Sequence, residues 1–318
     1  MTWLVTGGAG YIGAHVVKAM RDSGQGVVAY DDLSTGAADR VGDTPLVVGS
    51  VLDLELLAAT FREHGVHGVV HIAAKKQVGE SVADPLLYYR ENVAGLGTLL
   101  EVCQDNGVDR FVFSSSAATY GLPDVDLVTE ETPGVPLSPY GESKLIGEWM
   151  LRACDTAFGL RTLSMRYFNV AGTASVELGD PGVFNLIPLV FQALSRGEQP
   201  QVFGADYPTP DGTCIRDYVH VADIADAHLE AARALDAGAA SQTYNIGRGA
   251  GASVLEVLRV IAEVTGSDVT PRIVDRRAGD PARVVAAVDR IQAGLGWTAK
   301  HDLTDMVRSA WEAWVATH

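Results

Sequence analysis

The chain has 318 residues, 47% of them hydrophobic and 20% charged, which supports one large or two modest cores and excludes a disordered, collagen-like or disulfide-stapled chain. Its 24 basic and 40 acidic residues give a formal charge of −16. That charge opposes non-specific binding to nucleic acid or to an anionic membrane, so neither partner is expected, and an anionic ligand must be met by a local basic cluster or by helix ends.

Short apolar segments at residues 3–5, 27–30, 46–48, 68–72, 110–113 and 162–167 read as strands. Between them Ile12, Val16 and Met20, then Leu54, Leu57, Ala58 and Phe61, then Val93, Leu96 and Leu100 recur at helical spacing. Repeated β-α-β of this kind predicts a parallel sheet covered on both faces. Residues 171–216 are rich in Gly, Pro and Asp, with one helical island at 187–194. An Ala-rich helix is expected over 224–235 and a strand over 243–246. Ser253 then introduces a helix with Leu255, Leu258 and Ile261 on its apolar side. A last helix follows Asp302 as its cap, with Asp305 beside the positive helix end.

The expected fold class is α/β: a Rossmann-type doubly wound parallel sheet with a smaller mixed α/β substrate-binding lobe over the carboxyl edge of the sheet. Residues 1–170 with about 217–248 are expected to form the NAD-binding domain, and about 171–216 with 249–318 the substrate-binding domain. Cys103, Cys154 and Cys214 are widely spaced and match no metal-ligand pattern; they read as buried small hydrophobes in a reducing compartment. Trp3, Leu4 and Val5 run into a glycine loop within four residues, leaving no room for a signal peptide, and no apolar run reaches the roughly 18 residues of a membrane span. A cytoplasmic location is expected.

Gly7-Gly8-Ala9-Gly10-Tyr11-Ile12-Gly13 follows the first strand and opens the first helix. Gly7, Gly10 and Gly13 permit a tight turn, close approach of backbone to a pyrophosphate, and close helix packing. An acid should end the next strand, and Asp31 stands there, placed to accept both ribose hydroxyls of an adenosine half. A 2′-phosphate would meet its charge, so NAD is preferred over NADP. Asp32 reads as a solvated turn acid.

Ser138-Pro139-Tyr140-Gly141-Glu142-Ser143-Lys144 places Tyr140 and Lys144 on one face of a helix that Ser138 caps and Pro139 begins. A lysine ammonium and a positively charged nicotinamide both favour the phenolate, making Tyr140 an acid/base near neutral pH. A third donor comes from the serines after the strand at 110–113; Ser116 is the choice, although Ser114 to Ser116 offer three similar hydroxyls. Together these groups suit hydride chemistry on a secondary alcohol, with Tyr140 moving the hydroxyl proton.

Further motifs extend these two: Lys76-Gln77-Val78-Gly79-Glu80-Ser81, Ser114-Ser115-Ser116-Ala117-Ala118-Thr119-Tyr120-Gly121, Arg166-Tyr167-Phe168-Asn169, Asp206-Tyr207-Pro208-Thr209 with Asp211-Gly212-Thr213, Arg216-Asp217-Tyr218-Val219-His220-Val221, and Arg276-Arg277-Ala278-Gly279-Asp280. Over essentially its whole length the chain resembles the extended short-chain dehydrogenase/reductase family, and within it the branch that epimerises nucleotide sugars. The resemblance implies reversible C4 epimerisation of UDP-glucose and UDP-galactose through a 4-keto intermediate, with NAD tightly bound and regenerated in the cycle, in a homodimer. It implies a cofactor side comprising Tyr11, Ile12, Ser50, Val51, Lys76, Asn92 and Tyr167 beside the glycine loop, Asp31, Tyr140 and Lys144. It implies a UDP-hexose side comprising Ser116, Tyr140, Asn169, Asn185, Arg216, Arg277 and Asp280. Read without the resemblance, Arg216 and Arg277 more often mark salt bridges, and Asn169 and Asn185 caps or turns; Arg276 reads as a solvated neighbour.

The chain departs from the family pattern in places. Ser50 stands where these enzymes commonly present an Asp to the adenine, and Ala74 replaces a common Gly. Val284 falls where a bulkier residue often restricts the sugar pocket, which leaves UDP-N-acetylhexosamines as alternative substrates. Ala117 and Ala118 replace the Asp-Glu of related dehydratases, so elimination lacks its catalyst. A silent NAD-binding regulator or scaffold would not need Ser116, Tyr140 and Lys144 together.

Overall fold

The computed structural model describes residues 1–277 and 279–317. The first half runs β1 (Thr2–Thr6), α1 (Tyr11–Asp22), β2 (Gly26–Asp31), β3 (Leu46–Val48), α2 (Leu54–His64), β4 (Val66–His71), the short helices α3 (Val78–Ala83) and α4 (Pro85–Tyr88), α5 (Gly95–Asp105), β5 (Arg110–Ser116), α6 (Pro139–Phe158) and β6 (Arg161–Tyr167). A single π-helical turn, Tyr89–Ala94, joins α4 to α5. Then come β7 (Asn169–Ala171), α7 (Leu186–Ser195), β8 (Gln201–Phe203), β9 (Ile215–His220), α8 (Val221–Asp236) and β10 (Gln242–Ile246). The last segment carries β11 (Gly251–Ser253), α9 (Val254–Thr265), β12 (Arg272–Val274), β13 (Arg283–Val284), α10 (Asp289–Leu295) and α11 (Leu303–Thr317).

Among the described residues seven strands form a Rossmann-type sheet in the order β10-β6-β5-β4-β1-β2-β3. The ladders joining β3, β2, β1, β4 and β5 are all parallel. Strands covered on both faces need apolar side chains on both, and Trp3, Leu4 and Val5 are wholly buried. Leu4, Val28, Tyr30, Val69 and Phe111 share a core with Leu57 and Phe61 of α2 and with Leu96 and Leu99 of α5. Each such side chain contributes roughly 1.5–3 kcal/mol when fully buried. The order places neighbours in space, β1 and β4, that are far apart in sequence. Their carboxyl ends are the edge where open α/β sheets put ligands.

The chain divides into two compact units: residues 1–121, 133–166 and 224–244 form the first, and residues 122–132, 167–223 and 245–318 the second. In the second unit β11, β9 and β13 form a sheet with β7 paired to β9, and β12 pairs in parallel with β8. Phe191 of α7 packs on Trp311 and Trp314 of α11 in its core, with Val257 and Ile261 of α9. Ser253 caps α9 through a reciprocal pair of bonds with Glu256, and Asp302 and Asp305 exchange the same pair at the start of α11. The stretch 171–216, legible in the sequence only as one helical island, also contains β8 and the beginning of β9. Neither Gln201–Phe203 nor Ile215–His220 carries the unbroken apolar run by which the strands of the first half are read.

Candidate active site

The glycine turn fails with any larger residue at two positions. Gly7 has φ +69°, and a Cβ there would lie 2.6 Å from the Ala73 nitrogen. A Cβ on Gly13 would lie 1.9 Å from the Gly7 carbonyl oxygen. Helix α1 therefore approaches the turn more closely than an alanine allows. Gly10 is its N-cap and brings no side-chain acceptor, so the positive helix end faces the turn without a built-in anion. Tyr11 and Ile12 begin the helix behind it. This cradle of backbone amides fits a dinucleotide's pyrophosphate.

Asp31 ends β2, as the sequence predicts, and it also does something the sequence does not disclose. Its Oδ2 accepts the Ala9 N–H at 2.9 Å and its Oδ1 accepts the Leu33 N–H at 2.8 Å, so the carboxylate braces the glycine turn against the loop after β2. Burial raises its pKa above the ordinary carboxylate value, while these amides pull it back. Each oxygen keeps a lone pair for a ribose hydroxyl. Ser50 accepts the Leu52 N–H at 3.2 Å through its hydroxyl, and Val51 is buried against Gly95. The Lys76 ammonium lies 5.9 Å from the Tyr11 ring centroid. Asn92 is buried: its amide donates to the Lys75 carbonyl and the Ser143 hydroxyl, and its oxygen accepts the Lys75 N–H. It ties the loop carrying Lys76 to the catalytic helix.

That helix, α6, begins as expected, with Ser138 accepting the Gly141 N–H and Pro139 in the first turn. Three adjacent serines of β5 take three different jobs. The Ser114 carbonyl accepts the Lys144 ammonium at 2.7 Å. The Ser115 hydroxyl donates to Glu148 at 2.6 Å. The Ser116 hydroxyl accepts the Ala118 N–H at 3.1 Å and, of the three, is the one that favours the Tyr140 phenolate. β5 extends three residues beyond its expected end to carry it.

Electrostatics modify the sequence expectation. Burial raises Tyr140 above its ordinary value, opposed by the Ser116 bond. Burial also pushes Lys144 down to about 7, so it is not the standing ammonium its residue type suggests. Tyr88 stands edge-on to the Tyr140 ring at 6.5 Å and is held by Gln77 and Glu80. Behind β5, Glu148 accepts Arg166 Nε at 2.8 Å and Nη2 at 2.6 Å, and Arg166 Nη1 donates to the Tyr120 hydroxyl at 2.8 Å. Tyr88, Ser143, Glu148 and Arg166 are positioning groups that motif reading passed over. Two of them, Ser143 and Glu148, lie three and eight residues beyond Tyr140 on the same helix.

In the second unit, Arg216 of β9 pairs with Asp280 and donates to the Ile215 carbonyl at 2.8 Å. Arg277 stacks its guanidinium 3.7 Å from the Phe203 ring centroid. Asn169 begins β7 and Asn185 precedes α7, both exposed; Tyr167, at the end of β6, is buried. Val284 lies beside Arg216 in the β13–β9 register. Arg276 is exposed, as expected of a solvated neighbour, but it is also paired: its Nε donates to Asp206 at 2.6 Å, and its guanidinium lies 4.1 Å from the Tyr207 ring centroid. Ala278, within the same motif, lies outside the described residues. No cluster of three or more His, Cys, Asp or Glu that could hold a metal occurs among the described residues, and no helix among them is long and apolar enough to cross a membrane.

Known proteins resemble the chain throughout. It is 49% identical over 317 residues to a UDP-glucose 4-epimerase of Azospirillum brasilense, covering 97% of this chain and 91% of the relative. A crystal structure of UDP-glucose 4-epimerase from Brucella ovis in complex with NAD superimposes with TM-score 0.93 at 40% identity, covering 97% of each chain. One from Stenotrophomonas maltophila, with bound NAD and formylated UDP-arabinopyranose, gives TM-score 0.95 at 41% identity, covering 100% of this chain and 98% of that one. Residues 3–247 match the family described as NAD dependent epimerase/dehydratase. Glycine turn, parallel sheet, serine–tyrosine–lysine set and sequence likeness agree, and the chain belongs to the NAD dependent epimerase/dehydratase family.

Proposed function

We propose that this chain interconverts UDP-glucose and UDP-galactose by reversible epimerisation at C4. The observation that carries the proposal is the set of Ser116, Tyr140 and Lys144 on the same unit as the glycine turn, with Lys144 anchored on the Ser114 carbonyl at the end of β5. NAD, when bound, supplies a hydride acceptor and donor. Gly7, Gly10, Gly13, Tyr11 and Ile12 hold its pyrophosphate, Asp31 its ribose, Ser50 and Val51 its adenine end, and Lys76, Asn92, Tyr167 and Lys144 the remainder. Because the reaction has no net redox change, no second oxidant or reductant would be needed.

Tyr140 takes the C4 hydroxyl proton as the carbon becomes a ketone, and Ser116 donates to the same oxygen. The keto sugar turns about its bond to the diphosphate so that the opposite face of C4 would receive the hydride, and Tyr140 returns the proton to the C4 oxygen. Asn169, Asn185, Arg216, Arg277 and Asp280 keep the nucleotide in place meanwhile, the guanidinium forks suiting phosphate oxygens. The test is incubation of purified protein with UDP-galactose without added NAD. UDP-glucose should appear; fully NAD-loaded protein that leaves UDP-galactose unchanged refutes the proposal.

A wider substrate range rests on Val284. Its short side chain beside Arg216 leaves room that a tyrosine would fill, so UDP-N-acetylglucosamine enters more slowly than UDP-glucose, and Val284→Tyr should remove the acetylated activity selectively. We assign a homodimer, supported by half-exposed Trp149 on α6 and checked by sedimentation of native and Trp149→Glu protein. Free thiols at Cys103, Cys154 and Cys214 suit the cytoplasm, which cell fractionation checks.

A further inference from the structure

We propose that Arg276 is a positioning residue that latches the loop after β8 to the segment after β12 and thereby sets the affinity for the UDP moiety. The proposal rests on the assignment of Arg277 to the nucleotide. Strand β8 ends at Phe203, whose ring carries the Arg277 guanidinium, and β12 ends at Val274. The last bond between these two strands is Gly204 N–H to the Val274 carbonyl at 2.8 Å. Beyond it each chain leaves the ladder. Asp280 is held farther on by Arg216, and Arg276 tethers the stretch between Val274 and Arg277.

The tether has three components. Arg276 Nε donates to the Asp206 carboxylate at 2.6 Å, Nη2 donates to the Asp206 backbone carbonyl, and the guanidinium covers the Tyr207 ring at 4.1 Å. Carboxylate and carbonyl of one residue are thus held by one planar fork, a geometry lysine cannot reproduce. Tyr207 is buried, so the surface under the guanidinium is fixed. Gly204 makes room: it has φ +83°, and a Cβ there would lie 2.5 Å from Arg276 Cγ and 2.7 Å from Tyr207 Cε2.

The loop gripped by Arg276 is itself rigid. The Tyr207 N–H donates to the Gly212 carbonyl at 2.9 Å, and Thr209 Oγ1 donates to the Thr213 carbonyl at 2.7 Å. Asp211 accepts the Thr213 N–H at 2.9 Å and pairs with the hydroxyl of Ser253, the cap of α9. One end of the loop is therefore anchored on a helix, and Arg276 transfers that anchorage to the backbone immediately before Arg277. Without the latch, Arg277 keeps its chemistry but must be ordered when the nucleotide binds, whereas Asp280 stays paired with Arg216. That cost falls on affinity and leaves proton transfer at Tyr140 untouched.

The experiment measures UDP binding by calorimetry and steady-state kinetics on the NAD-loaded enzyme. Arg276→Ala should raise both the Kd for UDP and the KM for UDP-galactose about three- to tenfold, with kcat within about twofold of native. Asp206→Ala should act in the same direction, the double variant should lose no more than the worse single one, and Arg276→Lys should recover only part of the loss. Gly204→Ala should weaken UDP binding without altering any charge. Unchanged UDP affinity in Arg276→Ala, a fall in kcat at constant KM, or additive losses would overturn the latch. So would tighter binding by Asp206→Ala, because a freed Arg276 would then itself be the phosphate ligand. Arg277→Ala separates the two levels: if it too binds UDP like the native enzyme, the nucleotide assignment fails, whereas its loss beside a normal Arg276→Ala protein removes only the latch.

Discussion

Removing the Glu148 carboxylate tests whether the back of the active site is held electrostatically. Glu148 and Arg166 each leave only 9% of the side chain exposed, and their contact is bidentate, at 2.8 and 2.6 Å. Glu148 also accepts the Ser115 hydroxyl at 2.6 Å. Glu148→Ala removes the carboxylate with which the buried Arg166 guanidinium pairs and frees Ser115. Breaking a buried pair on one side costs about 3–5 kcal/mol. With an unfolding entropy of about 2.1 cal/mol/K per residue, the 318-residue chain should lose about 4–8 °C in Tm if it unfolds in one transition. The double variant Glu148→Met with Arg166→Met, which removes both charges at similar volume, should regain most of that loss. Ser115 adjoins Ser116, so kcat in Glu148→Ala should fall as well. Scanning calorimetry on the NAD-loaded protein decides the matter: a Tm within 1 °C of native for Glu148→Ala, or a double variant less stable than the single one, would refute the reasoning.

Tyr140→Phe should lower kcat by at least about 100-fold while UDP affinity stays within about twofold, as stopped assays and calorimetry would register. Asp31→Asn should weaken NAD binding and narrow the preference over NADP; because Asp31 also braces Ala9 and Leu33, its affinity for both dinucleotides should drop, and an unchanged ratio in direct titration would move cofactor selection elsewhere. Gly13→Ala should abolish dinucleotide binding, since its methyl would meet the Gly7 carbonyl, and fluorescence titration checks this. Burial pushes His71 down to about 3 and His220 and His228 down to about 4. Each is neutral when folded and protonated when unfolded between about pH 6.5 and 4, so unfolding takes up protons and stability falls with acidification there. Asp217, raised to about 6 by burial, opposes this by binding a proton in the folded state below that pH. Urea unfolding should therefore show a net stability loss from pH 6.5 to 4.5, and a flat profile would contradict the neutral buried imidazoles.

What lay open in the sequence was local chemistry. Gly7 and Gly13 are readable because a tight turn before a helix has few solutions, and the structure finds backbone where their side chains would be. Tyr140 and Lys144 are readable because four residues make about one helical turn, and Ser138 and Pro139 mark where that turn begins. Six strands alternating with helical patterns imply a parallel sheet, since parallel neighbours require long crossovers. The tertiary structure alone chose among Ser114, Ser115 and Ser116, because the choice depends on which of Lys144, Glu148 and Tyr140 the packing of α6 brings against each. It alone turned Lys144 from an ordinary ammonium into a group with a pKa of about 7, since desolvation depends on what surrounds a side chain and not on its neighbours in sequence. It alone gave the exposed Arg276 its partners. Its partners Asp206 and Tyr207 lie about 70 residues earlier in the chain, and the parallel pairing of β8 with β12 brings them within reach.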